Sequence, residues 1–435
     1  MPTAYIETYG CAQNESDSEK LRGMLKNLGY TFGDDAKTAD VVIYNTCAVR
    51  ENAELKVFGT IGVLKPVKAE RPDMLIGVCG CMMQQQHIAE EIKRKYKQVD
   101  FVFGTNALYR FPEILAAARN ERVFDITEDE EIVEGTPVFR DPPPLAKVPV
   151  MYGCNNFCAY CVVPLVRGRE RSRKPEDILA EIRSLVADSY KEVTLLGQNV
   201  NSYDGGAGAG NTFPQLLTEV CKIDGLERVR FVTSHPKDIS DELIDVMAKE
   251  PKICKQLHLP IQAGSNKVLA DMNRGYTQEK YMSIIAKLRA KMPNITFTSD
   301  IIVGFPTEGN EEFEDTLKVL REAEFDMIFS FIFSPRKGTP AENMQSVLTD
   351  EEKHTNFNRM VDLQNEISKR KADAYVGTIQ KVLIEGKSKT NEQFMSGRTD
   401  GGKIVIVETG EDKIGEILDV KITRATTWTL YGEVV

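Results

Sequence analysis

This 435-residue sequence lacks long apolar runs, a signal-peptide pattern and a general excess of basic residues. No stretch approaches the ~18 consecutive apolar residues that a membrane-spanning helix needs. The first residues, MPTAYIETYG, contain no basic segment followed by an apolar one, which is the pattern of a secretory signal. We therefore expect a cytoplasmic protein with no membrane partner.

The distribution of charged residues and of histidines along the sequence does not indicate a function. The net charge is −10, of which residues 1–145 carry −6 and residues 372–435 carry −2. Because no segment is basic as a whole, a bound nucleic acid has to be held by local patches. The four histidines are assigned no role, and no arrangement of Ser, His and Asp indicates nucleophilic catalysis.

Short apolar segments alternate with helical patterns over most of the chain. Residues 4–9, 41–46 and 74–79 predict strands of a parallel, doubly wound α/β sheet. A second series contains six predicted strands and five helices, two units short of a TIM barrel, and predicts a partial (βα)6 barrel. Five short segments after a polar helix predict a small OB-like β-barrel.

The predicted domains are residues 1–127, 146–371 and 372–435. Residues 128–145 are acidic and then rich in proline, without periodicity, so they are predicted to form a linker. Ser240, which precedes a helical pattern in the second domain, is predicted to be an N-cap.

Cysteine is the informative residue type in this chain. An odd number of cysteines, nine, in a reducing compartment argues against a disulfide framework and for metal or redox chemistry. Seven of the nine precede residue 162, whereas Cys221 and Cys254 are predicted to pack in the core.

The strongest local signal is YGCNNFCAYCVVP, in which Cys154, Cys158 and Cys161 have C-x3-C-x2-C spacing. This loop follows the first predicted barrel strand, and barrel enzymes have their active sites at that face. A structural zinc site needs four ligands, and no second cysteine pair follows nearby. Three thiolates suit three irons of a 4Fe–4S cluster, with the fourth iron open. The alternative is that these are buried or zinc-binding cysteines.

A second set of three cysteines is dispersed in the first domain. Cys11, Cys47 and Cys81 each follow the carboxyl end of a predicted strand, where ligands of open α/β sheets bind. Each alone is most simply a buried residue, but together they predict a second 4Fe–4S cluster with an open iron. Cys79 lies inside its strand and is predicted to pack, which leaves Cys81 as the ligand.

The motif around Cys154 resembles the radical S-adenosylmethionine superfamily. Both cysteine sets in this order resemble the methylthiotransferases over essentially the whole chain, and the segments NTCAVRENA and SGRTDG resemble the MiaB-type tRNA enzymes. The resemblance implies an N-terminal domain with an auxiliary cluster, a radical S-adenosylmethionine core and a C-terminal TRAM barrel that binds RNA.

The reaction that this resemblance implies is 2-methylthiolation of N6-dimethylallyladenosine beside the tRNA anticodon. One S-adenosylmethionine supplies a 5′-deoxyadenosyl radical and a second donates the methyl group. Carbon C2 of adenine has no acidic hydrogen, so a side-chain base cannot activate it at useful cost. The implied partners are tRNA carrying N6-dimethylallyladenosine, a flavodoxin- or ferredoxin-like electron donor, and a sulfur or iron–sulfur carrier.

The resemblance also implies contacts to S-adenosylmethionine at the ends of barrel strands. Many family members have Gly at the position of Asp300, so Asp300 could instead face ribose hydroxyls. The alternative for each residue is a packing or turn role. The six residues are Tyr160, Gln198, Ser234, Gln262, Asp300 and Gly304.

Local basic residues are the candidates for tRNA contact. The alternative for the segment RGRERSRK is a solvated stretch paired with acidic neighbours. In the C-terminal barrel, Trp428 is a candidate for stacking on RNA, although a single tryptophan more often packs in the core. The predicted phosphate contacts are Arg167, Arg169, Arg171, Arg173 and Arg398.

Two alternative functions remain at this point. A RimO-type enzyme, which modifies an aspartate of a ribosomal protein, would share both cysteine sets. A non-enzymatic iron–sulfur protein that binds RNA would not need the predicted barrel.

Overall fold

The computed structural model describes residues 1–48, 51–128, 131–206, 210, 212–389, 391–409 and 412–435, and, within residues 51–55, the backbone alone. Residues 49 and 50 of NTCAVRENA and residues 129 and 130 of the predicted linker lie outside them. Three sheet systems follow one another: an open parallel sheet, an incomplete barrel and a small closed barrel. This is the predicted fold class. Within the described ranges, no helix combines the length and apolar composition of a membrane span.

The first sheet contains six parallel strands in the order β2-β1-β3-β4-β5-β6. Its strands are β1 Thr3–Thr8, β2 Thr31–Phe32, β3 Val41–Thr46, β4 Leu75–Gly80, β5 Phe101–Phe103 and β6 Val123–Asp125. The helices that connect them are α1 Ala12–Asn27, α2 Glu51–Glu70, α3 Gln86–Lys95 and α4 Phe111–Ala117.

Helices cover both faces of this sheet. Leu21 of α1 and Leu115 of α4 share one buried cluster, while Ile61 of α2 and Ile92 of α3 share the other. The strand order reverses between β1 and β3, because the chain runs outward from β1 to β2 and then returns. In a doubly wound sheet a ligand binds at the carboxyl ends of the strands at this reversal.

The second system contains six parallel strands in two groups of three, β11-β10-β7 and β12-β13-β14. A single parallel bridge between Val229 and Ile253 joins the two groups. The barrel strands are β7 Leu145–Pro149, β10 Glu192–Leu196, β11 Arg228–Phe231, β12 Gln256–His258, β13 Thr296–Val303 and β14 Met327–Ile332. The predicted first strand, 148–152, is divided, because β8 Met151–Tyr152 leaves the barrel to pair with β9 Arg171–Ser172.

Four helices of this part of the chain begin at a Ser or Thr whose side chain caps the first turn. Ser240 accepts a hydrogen bond from the backbone N–H of Leu243 at 3.0 Å, as its N-cap prediction requires. The helices are α5 Val163–Arg167, α6 Pro175–Ala187, α7 Phe213–Cys221, α8 Asp241–Lys249, α9 Asn266–Asp271, α10 Gln278–Lys291, α11 Asn310–Ala323 and the long α12 Asp350–Asp373.

The third system is a closed five-stranded barrel in the order β15-β16-β17-β19-β18. The turn between β16 and β17 docks on the amino ends of the strands of the larger barrel. Arg230 of β11 donates to the carbonyls of Thr399 and Asp400 at 2.8 and 2.9 Å. The small barrel therefore lies at the end of the larger barrel opposite the cysteine loop. Its strands are β15 Ile379–Lys387, β16 Phe394–Thr399, β17 Ile404–Glu408, β18 Ile417–Ala425 and β19 Thr429–Val434.

A glycine in the first sheet tests this packing. A Cβ on Gly77 of β4 would lie 1.9 Å from the ring of Phe101, which is fully buried. We expect Gly77→Ala to lower the free energy of unfolding by about 1–3 kcal/mol through overpacking. The control is Gly59→Ala on the exposed side of α2, where an added Cβ meets nothing within 4 Å and improves helix propensity. Equal thermal unfolding midpoints for the two variants would contradict the packing.

Candidate active site

Three cysteines meet at the strand reversal of the first sheet. Cys11 is the residue before α1 and follows β1, Cys47 follows β3, and Cys81 follows β4. Because β1, β3 and β4 are neighbours, their carboxyl ends bring these residues together, and the Cys81 thiol interacts electrostatically with the other two. Cys79, by contrast, is buried in the sheet core. We call Cys11, Cys47 and Cys81 the auxiliary site.

A buried amide pair fixes two sides of the auxiliary site relative to each other. The side chain of Asn14 in α1 donates to Oδ1 of Asn45 and to the carbonyl of Thr46, both at 3.1 Å. Asn45 in turn donates to the carbonyl of Asn14 at 2.8 Å. This exchange ties the start of α1, next to Cys11, to the end of β3, next to Cys47. Sequence reasoning missed both asparagines.

The second set of cysteines lies on the loop between β8 and α5. Cys154 and Cys158 are buried and Cys161 is half-buried. Backbone hydrogen bonds close the loop: the N–H of Cys154 donates to the carbonyl of Gly168 at 3.2 Å, and that of Cys161 to the carbonyl of Cys158 at 2.9 Å. We call Cys154, Cys158 and Cys161 the loop site.

Arg274 is a contact of the loop site that sequence reasoning missed. Its Nη1 donates to Sγ of Cys158 at 3.3 Å and to the hydroxyl of Tyr160 at 3.4 Å. Its Nη2 donates to the carbonyl of Pro260 at 2.9 Å, so this buried guanidinium is held in a fixed orientation. The surrounding MNRGY has no spacing that marks a site, because Arg274 reaches back over more than a hundred residues.

Burial raises the pKa of several of these thiols. The pKa of Cys81 is raised to about 12, that of Cys161 to about 12 and that of Cys154 to about 11, in each case mainly by desolvation. These thiols therefore carry protons at neutral pH in the metal-free protein. Metal binding has to displace those protons, so cluster assembly is favoured as the pH rises.

The donor set fits a cluster that binds each thiolate through a different iron. Each site presents three thiols from defined backbone positions; Cys11 is exposed, Cys161 is half-buried and the other four are buried. Across the described ranges, no three His, Cys, Asp or Glu side chains converge closely enough to hold a single metal ion. A 4Fe–4S cube does not need such convergence, because each thiolate has its own iron, and three thiolates leave one iron open.

Unsatisfied polar atoms lie beside the loop site at the carboxyl ends of β10 and β11. Within the part of the chain that the structure describes, Asn199 Oδ1, Ser234 Oγ and His235 Nε2 are buried without a hydrogen-bond partner. Burial, together with nearby Arg274 and Lys237, lowers the pKa of His235 to about 2. Buried polar atoms need partners, so these three fit a polar ligand such as S-adenosylmethionine.

His235 is present as one neutral tautomer. Its Nδ1 accepts from the backbone N–H of Lys237 at 3.2 Å, which leaves the proton on Nε2. Of the predicted ligand contacts, Ser234 belongs to this group, whereas Asn199 and His235 were not predicted. A histidine that caps a turn gives no spacing signal, so only its burial in the fold reveals it.

The other predicted ligand contacts line the same face. Gln198 accepts from the N–H of Gly153 at 2.6 Å, which places it against the loop site. Gln262 has φ 74° and donates its backbone N–H to Asp300 at 2.9 Å. The Asp300 carboxylate lies 3.6 Å from Nε2 of His258, and Gly304 has φ 73° at the end of β13. The left-handed φ of Gln262 is a strain that functional sites often hold.

Of the four arginines predicted to contact phosphate in residues 167–173, two are buried and two lie near the surface. Arg167 and Arg173 are 5% and 7% exposed and are ion-paired with Asp17 and with Glu134 and Glu181. The prediction is corrected for these two, because a buried, paired guanidinium does not reach a phosphate.

Two arginines of the same segment remain near the surface. Arg169 is exposed, and its guanidinium lies 4.3 Å from the ring centre of Phe157 in the cluster loop. Arg171 is half-buried and donates to the carbonyl of Arg167 at 3.2 Å. Arg169 is therefore the better placed of the two for RNA.

The C-terminal barrel also differs from expectation. Trp428 is 49% exposed, so it does not have the core role that is more common for a single tryptophan. Nearby, Arg424 lies 3.6 Å from the ring centre of Tyr431, while Arg398 pairs with Glu385 at 3.0 Å. The exposed aromatic surface is on β19 and the turn before it, and not at Arg398.

The two cysteine sites are adjacent. Helix α5 begins two residues after Cys161 and packs against the turn that begins at Cys81. Val162 and Val166 form a small buried cluster with Cys81 and Ala48, the residue after Cys47. Five helical residues rise about 8 Å, so one short helix separates the sites.

Three family descriptions match the chain in sequence. Residues 3–104 match "Uncharacterized protein family UPF0004", residues 148–320 match "Radical SAM superfamily", and residues 373–435 match "TRAM domain". The first match contains the auxiliary site and the second contains the loop site.

Curated relatives match over nearly the full length. The tRNA-2-methylthio-N(6)-dimethylallyladenosine synthase of Acetivibrio thermocellus is 50% identical over 99% of this chain and 90% of its own length. The enzymes of the same name from Clostridium botulinum strain Hall and Clostridium tetani are 50% and 49% identical, over 99% and 100% of this chain and 96% of their own lengths.

Solved structures share the fold at low sequence identity. The radical S-adenosylmethionine methyltransferase TsrM from Kitasatospora setae has a TM-score of 0.58 at 13% identity and covers 79% of this chain and 74% of its own. The cobalamin-dependent S-adenosylmethionine radical enzyme OxsB has a TM-score of 0.51 at 13% identity, over 84% of this chain and 61% of its own.

A glycine beside the loop site provides a test of the site geometry. Gly153 has φ 75°, and a Cβ there would lie 1.9 Å from the carbonyl oxygen of Arg169. We expect Gly153→Ala to displace the loop and to lose most of the iron of that site after anaerobic reconstitution. The control is Gly135→Ala, with φ 72° and nothing within 4 Å, which adds the same backbone strain without the clash. Equal iron and sulfide contents in the two variants would count against this loop geometry.

Proposed function

The chain belongs to the family of tRNA-2-methylthio-N(6)-dimethylallyladenosine synthases, and from that premise we propose that it places a methylthio group on C2 of N6-dimethylallyladenosine in tRNA, using two 4Fe–4S clusters. The observation that carries the proposal is the adjacency of two three-cysteine sites across α5. Bound clusters and S-adenosylmethionine supply the one-electron chemistry and the methyl group that an unactivated aromatic carbon requires.

The protein's own residues set the geometry between the two sites. Val162 and Val166 fill the space between the loop site and Cys81 and so exclude water there. Arg274 and Arg167 each donate one N–H to a cysteine sulfur, at Cys158 and Cys81. In this proposal Asn199, Ser234 and His235 orient S-adenosylmethionine.

The inner face of the barrel offers an apolar surface for the substrate. On the edge strand β14, Phe329 lies opposite Asp300 and Phe331 opposite Ile302, and the two phenylalanines are 41% and 37% exposed. Their neighbour Ile328 faces the helices in the main core. Alternating side chains share a face, so both rings face the open barrel. Two rings there fit the apolar five-carbon group of dimethylallyladenosine.

In this proposal the tRNA contacts two distant surfaces of the protein. Arg169 and Phe157 lie on the cluster loop, whereas the small barrel docks at the other end of the parallel strands. The barrel strands have three to eight residues and span about 10–26 Å, so the reactive nucleotide and the exposed aromatic surface at Trp428 lie at opposite ends of these strands. The base at the active site must leave its stack, and the small barrel contacts another part of the tRNA.

The remaining assignments are proposals of the same kind. The domains are 1–127, 146–371 and 372–435, with residues 128–145 as linker. A flavodoxin- or ferredoxin-like donor provides electrons, and a sulfur or iron–sulfur carrier restores the sulfur that each turnover consumes. We place the reaction in the cytoplasm.

Two triple variants test whether the loop site cleaves S-adenosylmethionine and the auxiliary site is needed for methylthiolation. Replacing Cys154, Cys158 and Cys161 with Ala should halve the bound iron and abolish cleavage of S-adenosylmethionine. Replacing Cys11, Cys47 and Cys81 with Ala should also halve the iron, but leave reductive cleavage to 5′-deoxyadenosine and remove methylthiolation. The matched control is Cys79→Ala with Cys254→Ala, two buried cysteines outside both sites, which should keep the full iron content. An iron content equal to that of the parent protein in either triple variant would contradict the two-cluster proposal.

A single exposed arginine tests tRNA contact at the cluster loop. We expect Arg169→Gln to weaken tRNA binding and to reduce the slope of log affinity against log salt by about 1. Cleavage of S-adenosylmethionine without tRNA should persist. The control is Arg321→Gln, an equally charged exposed position on α11. Filter binding across a salt series measures both, and identical slopes for the two variants would exclude a phosphate contact at Arg169.

A further inference from the structure

One buried arginine joins the barrel domain to the auxiliary site. Arg167 is the last residue of α5, and its Nε donates to Sγ of Cys81 at 3.1 Å. Its Nη2 donates to Oδ2 of Asp17 in α1 at 2.7 Å. Both partners belong to the sheet domain, so the guanidinium crosses the boundary between the two domains.

Burying this guanidinium costs free energy, so its partners have to be placed to satisfy it. A guanidinium buried to this extent destabilises the fold unless charged and polar partners satisfy it. Asp17 is itself 5% exposed, and its other oxygen, Oδ1, accepts from Gln13 at 3.2 Å. The carboxylate is thus fixed by α1, and it orients the guanidinium so that the N–H of Nε faces Cys81.

We propose that Arg167 is the positioning residue of the auxiliary site: it holds the sulfur of Cys81 toward Cys11 and Cys47 and raises the reduction potential of the cluster on these thiols. The inference rests on the proposed function, which puts a 4Fe–4S cluster there. Hydrogen bonds to ligand sulfurs stabilise the reduced, more negative cluster and are one of the main determinants of its potential. A neighbouring positive charge acts in the same direction.

The same arrangement recurs at the loop site, which supports a role beyond packing. Arg274 is also 5% exposed and also donates to one cysteine sulfur of its site. Arg173, in contrast, is similarly buried and belongs to the same segment as Arg167, but its guanidinium donates to Glu134, Glu181 and the carbonyl of Pro149. It therefore provides a matched control for loss of a buried, paired arginine.

The experiment uses the full-length chain with Cys154, Cys158 and Cys161 replaced by Ala, so that iron binds only at the auxiliary site. Arg167→Gln, Arg167→Lys and Arg173→Gln are compared in this background after anaerobic reconstitution. The readouts are iron content and midpoint potential, followed by electron paramagnetic resonance during reductive titration. We expect Arg167→Gln to shift the reduction equilibrium at least tenfold toward the oxidised form, ~59 mV for one electron.

The lysine variant keeps the charge but lacks the planar fork that serves Asp17 and Cys81 together, so its potential should lie between those of the parent and Arg167→Gln. Arg173→Gln should lower stability and leave the potential unchanged. Should Arg167→Gln fail to bind iron, Arg167→Lys decides alone. If the Arg167 variants have the same midpoint potential as the background protein, the positioning role is wrong, while the two-cluster proposal stands. A background protein that binds no iron overturns both.

Discussion

The ion pair between Asp17 and Arg167 holds the sheet domain against the barrel at the place where the two cysteine sites meet. Both groups are buried, so removing either partner would leave an uncompensated charge in a low-dielectric environment. Other contacts of α1 continue this polar boundary: Lys20 donates to the hydroxyl of Tyr152 at 2.9 Å, and Glu15 pairs with Lys147 at 2.6 Å. The amino-terminal half of α1 is therefore buried although most of its side chains are polar.

This boundary brings the cysteine sites of the sheet domain and the barrel next to each other. The auxiliary cysteines are fixed by the strand order of the sheet, and the loop cysteines by the first βα connection of the barrel. Neither unit alone determines the distance between them. Helix α5 and its small apolar cluster determine it, because close-packed side chains do not compress to change the spacing.

Several arginines of this chain make contacts inside the fold and not at its surface. Arg167 and Arg274 contact cysteine sulfurs, and Arg228 and Arg230 donate to backbone carbonyls of the small barrel. A net charge of −10 therefore says little about RNA binding. The arginine-rich segment at residues 167–173 is the clearest case, since two of its four arginines are internal structural residues and Arg169 is the exposed one.

The sequence by itself determined the elements, the fold class and the two cysteine sets. Periodicity, turn residues and C-x3-C-x2-C spacing are local properties, and strand ends such as those before Cys11, Cys47 and Cys81 can be found from them. Tertiary structure alone decided which polar residues serve the site. Arg167 contacts Asp17 across 150 positions and Arg274 contacts Cys158 across 116. No local pattern separates a buried arginine from a solvated one, because its burial depends on partners that only the folded chain brings near. Trp428 is a second example: a core role is the more common one for a single tryptophan, but the folded chain leaves it 49% exposed.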